Sequence, residues 1–131
     1  MATMTAAQRR EREREAFDAF METCPMNQLV GIVGRQWTTM VLYELAAGPR
    51  RYAEISRAMP GVSAKVLTQT LRSLERDGFV ARTVTPSVPV QVEYALTGLG
   101  ERIMPLIMSM LQWANHHIDE VYEARRRHDA V

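Results

Sequence analysis

The chain has 131 residues, of which 47% are hydrophobic and 24% charged, with a formal net charge of +1, values that fit one ordinary globular domain and exclude a disordered chain. There is no run of about 18 apolar residues, which excludes a helical membrane span, and the charged opening MATMTAAQRREREREAF lacks the apolar stretch of a signal peptide. The lone cysteine cannot form an internal disulfide, so a cytoplasmic protein is expected.

Residues 6–22 alternate arginine and glutamate, a pattern suited to ion pairs three and four residues apart on a helix. Phe17, Phe20 and Met21 form an apolar stripe near its end, as on a surface arm that rests on a partner subunit. Proline is tolerated in the first helical turn, so Cys24-Pro25 predicts a helix over 26–33 with Cys24 as N-cap and Gly34 as its end. The segment 36–47 carries Trp37, Met40, Val41, Leu42, Tyr43 and Leu45 and reads as a central core helix, stopped by Gly48-Pro49.

Residues 52–59 predict a short helix with Ile55, Ala58 and Met59 inward, then a Pro60-Gly61 turn. Ser63 is the expected N-cap of a helix over 63–77, on which Leu67, Thr70, Leu71 and Leu74 share one face at helical period. Lys65, Thr68, Gln69, Arg72 and Arg76 fall on the opposite face, and Asp77-Gly78 ends the helix. FVARTV (79–84) and QVEYAL (91–96) alternate as strands do, and TPSVP between them is a loop whose Pro86 and Pro89 cannot donate to a ladder. Thr97 is placed to cap a last helix from about Leu99 to about Arg126. Its apolar residues cover more than one face, which points to a partner subunit. Pro105 in its second turn is a candidate kink.

Helix, turn, helix and hairpin in this order are the layout of a winged helix-turn-helix. The expected class is mainly α with a small β-hairpin (α+β), dimerising through terminal helices. The expected organisation is an N-terminal arm over 1–23, a DNA-binding domain over 24–97 and a C-terminal dimerisation helix over 98–131. Between Gly48 and Thr85 seven basic residues stand against three acidic ones, a net of +4 that leaves −3 for the rest of the chain. Positive charge therefore sits on the segment expected to meet DNA, as phosphate neutralisation requires. Arginine-rich helix surfaces also serve solubility alone, which is the competing reading.

Cys24-Pro25, Gly34-Arg35-Gln36-Trp37, the run from Leu45 to Tyr52, Glu54-Ile55 and the run from Met59 to Ser63 come first in a longer series. Leu67-Thr68, the run from Leu71 to Glu75, Asp77-Gly78, the run from Val92 to Thr97 and Leu99-Gly100 complete it over roughly residues 24–113. This ordered series resembles the HxlR-type regulators of bacteria, a branch of the MarR-like winged-helix transcription factors, and is more specific than any single short motif. The resemblance implies a homodimeric, sequence-specific DNA-binding transcriptional regulator, expected to be a repressor acting on an inverted-repeat operator. A thiol-reactive or small-molecule signal is the candidate modulator. The family usually has lysine where this chain has Gln36; if that lysine meets a phosphate in relatives, this chain has lost its charge.

On the outer face of 63–77, Lys65, Thr68 and Gln69 offer the donors and acceptors that a major-groove reader needs. Arg72 and Arg76 lie further along and suit phosphates, while Ser63 and Ala64 stand where backbone or a thymine methyl would be approached. The wing over 84–90 has Arg82, Thr83 and Thr85 at its base, with Arg82 the candidate for the minor groove or its phosphates. Arg50 and Arg51 are candidates for a phosphate clamp before the short helix. A solvated surface charge is the competing reading for each.

Cys24 at a helix N-cap sees backbone N–H groups and the positive end of the helix dipole, which favours the thiolate and a redox-sensing role. Some members of the resembled family use a cysteine near this position to sense oxidants, electrophiles or aldehydes. The competing reading is an inert small hydrophobe. Phe17, Phe20, Leu106, Met110, Trp113, Ile118 and Tyr122 are the candidate dimer contacts. His116 and His117 point about 100° apart on a helix, so no metal site is expected. Met104, Met108 and Met110 read as adaptable interface packing, with a small-molecule pocket between the long helices as the alternative. No cofactor is implied, and no nucleophile–base pair or paired acids suggest an enzyme. The alternative to DNA reading is a winged-helix protein–protein interaction module.

Overall fold

The computed structural model describes residues 3–130; residues 1–2 and 131, the outermost positions of the expected arm and terminal helix, lie outside the described residues. The chain forms two compact units, residues 1–38 and 39–131. Among the described residues no helix is long and apolar enough to cross a membrane.

The first unit holds α1 (Ala6–Thr23) and α2 (Pro25–Val33). Thr5 starts α1 through a reciprocal cap, its hydroxyl accepting from Gln8 N–H at 3.1 Å and its own N–H donating to the Gln8 side chain at 2.9 Å. Of the expected Arg–Glu pairs, Arg14–Glu11 forms at 4.0 Å on an exposed surface, where it contributes little. Cys24 breaks the helical path with ψ 118°, and Pro25 opens α2. The Asn27 and Gln28 amides then donate to the carbonyls of Met21 and Glu22, two of the orphan acceptors at the end of α1.

The core helix expected over 36–47 is shorter: α3 spans Thr38–Leu45 and begins on the last residue of the first unit. Trp37 has φ +76°, which is incompatible with a right-handed helix, so Gln36 and Trp37 form a turn. The far end also stops early, with Ala46 N–H bonded to Tyr43 O at 3.2 Å and Gly48 N–H to Leu45 O at 3.2 Å.

The second unit continues with β1 (Arg50–Arg51), α4 (Tyr52–Ala58), α5 (Ala64–Arg76), β2 (Val80–Thr85), β3 (Gln91–Leu96) and α6 (Gly98–Asp129). Its core gathers Val41, Leu42 and Leu45 from α3, Ile55 from α4, Leu67, Leu71 and Leu74 from α5, with Phe79, Val80 and Ile107, all at most 7% exposed. The hairpin belongs to a three-stranded antiparallel sheet of order β1-β3-β2, because Arg50 and Arg51 pair with Tyr94 and Glu93. β2 lies one residue later than expected: Phe79 is buried and its N–H closes the end of α5 instead of entering the ladder. Val84, read both as the strand's last residue and as the wing's first, pairs with Val92, and Thr85, expected in the loop, pairs with Gln91, so the connecting loop is residues 86–90.

Thr97 caps α6, its hydroxyl accepting from Gly100 N–H at 3.1 Å and donating to Gly78 O at 2.6 Å. The helix runs 32 residues, starting one residue earlier and ending three later than expected, and it continues through Pro105. At 1.5 Å per residue it is about 48 Å long. Only Gly100 and Ile107 are buried on it.

Candidate nucleic-acid interface

A turn closed by Val62 N–H on Met59 O at 3.1 Å leads from α4 into α5. Ser63 caps α5, its hydroxyl accepting from Val66 N–H at 3.2 Å. Tyr52, at the start of α4, donates its hydroxyl to Ala64 O at 3.2 Å and so ties the two helices together where α5 begins. The end of α5 is a Schellman motif: Phe79 N–H reaches Leu74 O at 2.9 Å, Gly78 N–H reaches Glu75 O at 3.1 Å, and Gly78 has φ +84°. Leu67, Leu71 and Leu74 are at most 1% exposed, and Thr70 satisfies its buried hydroxyl on Val66 O at 2.8 Å. α5 is thus held at both ends and along one side.

What remains outside is a stripe of Lys65, Gln69, Arg72 and Arg76, all exposed. Their spacing of four, three and four residues places them on one face, along about 16 Å of helix. None of the four makes a hydrogen bond or ion pair among the described residues, so their donors are available to a partner. Ala64 is exposed beside the cap, while Thr68 is half-buried on the border between the two faces. The Ser63 hydroxyl is occupied as an acceptor by its capping role. Ser63→Ala is expected to destabilise the protein by about 1 kcal/mol, the usual cost of a lost N-cap, read from the midpoint of a urea transition.

The wing places Arg82 opposite Tyr94 and Thr85 opposite Gln91, with Arg82, Thr83 and Thr85 exposed. Its loop is braced by Ser87, whose N–H meets Thr85 O at 2.8 Å and whose hydroxyl meets Pro89 O at 2.7 Å. The two arginines expected to clamp a phosphate have partners of their own. Arg51 donates Nη2 to Gln91 Oε1 at 2.7 Å, joining β1 to the foot of the wing, and its N–H donates to Glu54 at 3.1 Å. Arg50 donates Nη1 to Pro49 O at 3.4 Å. Tyr52 and Gln91 are the positioning residues that sequence reasoning missed. Their partners lie 12 and 40 residues away, beyond any local pattern.

Cys24 stands at the N-cap of α2 as expected and is partly exposed, but its side chain makes no capping hydrogen bond. The candidate dimer contacts are all open in the single chain: Phe17 and Phe20 on α1, and Leu106, Met110, Trp113, Ile118 and Tyr122 on α6. His117 lies against the Trp113 ring at 5.1 Å and pairs with Glu120 at 2.8 Å, while His116 turns to Gln112 O at 2.7 Å. Among the described residues no group of three or more histidines, cysteines or acids could hold a metal ion.

A family model described as HxlR-like helix-turn-helix matches residues 32–122. YkvN of Bacillus subtilis (strain 168), an uncharacterised helix-turn-helix-type transcriptional regulator, is 37% identical over 100 residues, covering 76% of this chain and 85% of its own. Among solved structures, a protein of Porphyromonas gingivalis W83 described as a MarR-family transcriptional regulator superposes with a TM-score of 0.69 at 33% identity, over 73% of this chain and 94% of that one. The redox regulator HypR in its reduced form superposes with a TM-score of 0.72 at 32% identity, over 76% of this chain and 98% of that one.

Proposed function

The chain belongs to the HxlR-like helix-turn-helix family, and on that premise we propose that it is a homodimeric transcriptional regulator that represses from an inverted-repeat operator. The observation that carries this reading is the unpartnered stripe of Lys65, Gln69, Arg72 and Arg76 on a helix fixed at both ends. In this reading α5 enters the major groove, where Lys65 and Gln69 offer donors and acceptors to base edges and Arg72 and Arg76 take phosphates. Arg82 and Thr85 follow the backbone from the wing. Two copies pair through the terminal helices, covering Leu106, Trp113, Ile118 and Tyr122 of α6 and the apolar residues of α1, and so set two recognition helices about one DNA turn apart.

The test is selection of genomic fragments by purified protein at physiological salt with reductant. Enrichment of an inverted repeat, bound in a salt-sensitive way, is expected. Absence of any enriched sequence would favour the protein–protein module. The partial exposure of Cys24 and the likeness to a redox regulator support thiol modulation as a further part of the reading. Repeating the selection after mild oxidant, with Cys24→Ser alongside, checks it. Loss of enrichment that the serine variant escapes is the expected result.

A further inference from the structure

Within the second unit, a groove of about 640 Å³ lies between α3, the end of α4 and the middle of α6. That volume is in the range of small-molecule sites. Its floor is Met59 and Ile107, at 3% and 4% exposure, and its rim is Met40, Tyr43 and Met110, each close to half exposed in the single chain, Met110 being also a candidate dimer contact at the groove's edge. One charged side chain lines it: Glu44, half-buried and without a hydrogen bond or ion pair among the described residues. The other polar side chains of the lining, Thr39 and Asn115, are neutral, and no lysine, arginine or histidine lines it.

Charge complementarity decides what such a groove accepts. Filling it with a neutral apolar group strips water from the Glu44 carboxylate and leaves it uncompensated. An anion adds repulsion. An apolar cation covers the methionine and isoleucine surface, pairs the carboxylate, and places its charge beside the Tyr43 ring, whose face attracts cations. Methionines adapt their shape to such a guest. We propose that this groove is a binding site for an amphipathic organic cation, with Glu44 as its counter-ion. The site does not depend on DNA reading. Met59, in its floor, is the last residue before the turn into α5, so an occupant bears on the segment that positions the recognition stripe.

The test is calorimetric titration of the full chain with tetraphenylphosphonium, without DNA. Saturable binding at one site per chain is expected. Glu44→Gln should weaken it at least about tenfold, the scale of one charged interaction lost. Glu101→Gln, an exposed carboxylate on α6 away from the groove, should leave it unchanged. Absence of saturable binding by the wild-type chain, as when a second copy covers the groove, overturns the proposal. So does an equal affinity of the Glu44→Gln variant, or an equal loss in both variants.

Discussion

Replacing Lys65, Gln69 and Arg72 together by alanine is expected to weaken operator binding at least about 10³-fold while the protein stays folded. Each base or phosphate contact of this kind contributes about 1–3 kcal/mol, and a two-fold complex loses every contact twice. The three side chains are exposed and make no hydrogen bond or ion pair among the described residues, so removing them disturbs no internal partner. Alanine also favours helix, which holds the change in stability within about 0.5 kcal/mol. The salt dependence separates electrostatic loss from misfolding. Removing the one phosphate contact assigned to Arg72 in each subunit should flatten the slope of log K against log salt by about 2 units for the dimer, since each phosphate contact accounts for about 0.9. Fluorescence anisotropy on operator and scrambled duplexes across several salt concentrations measures both quantities. Operator affinity within about threefold of wild type would remove the outer face of α5 from DNA recognition.

That stripe was legible in the sequence because its cause is local. Leu67, Thr70, Leu71 and Leu74 recur at helical period, and once they are buried the residues between them must face outward. Ser63 and Gly78 likewise announce the helix ends by their own chemistry, one as a hydroxyl cap and the other by tolerating φ +84°. The features that escaped the sequence are those made by distant partners. β1 is two residues long, too short for any alternation, and exists because Tyr94 and Glu93 come alongside it. Arg51, read as a candidate phosphate clamp, also bonds Gln91, 40 residues on, which no local pattern announces. The turn at Gln36-Trp37 interrupts an apolar run that reads as continuous helix, because nothing about a tryptophan signals positive φ. The methionines of α6 were visible as a group. That Met110 shares a groove with Glu44 and Met59 required three separate elements to meet. The apolar excess of α6 was also plain from composition, and only Gly100 and Ile107 of that helix are buried within the single chain.

The start of α6 is where the largest loss of stability from a single added methyl group is expected. A Cβ on Gly100 would stand 2.2 Å from the Phe79 carbonyl oxygen, 3.2 Å from its carbon and 3.3 Å from Leu96 Cδ2. The first two are backbone atoms and cannot turn aside as a side chain does. Moving α6 outward would stretch the bonds of Thr97 to Phe79 O at 3.0 Å and to Gly78 O at 2.6 Å. Moving the strand instead would lift Phe79 and Val80 from the core, where they are 7% and 2% exposed. Either route carries the cost of overpacking, and Gly100→Ala should lose about 3 kcal/mol, against which the better helix propensity of alanine recovers at most about 1 kcal/mol. Gly98, two residues earlier, is the internal control. A Cβ there meets only the Arg102 Nη1 atom at 3.3 Å, the far end of a flexible side chain. Gly98→Ala should therefore be neutral or up to about 1 kcal/mol stabilising, since alanine restricts the unfolded chain more than glycine does. Thermal melts of the two variants, expected to differ by about 10 °C, decide the matter. Equal melting temperatures would mean that α6 is free to shift against the sheet at this junction, and that the Thr97 cap does not hold it there.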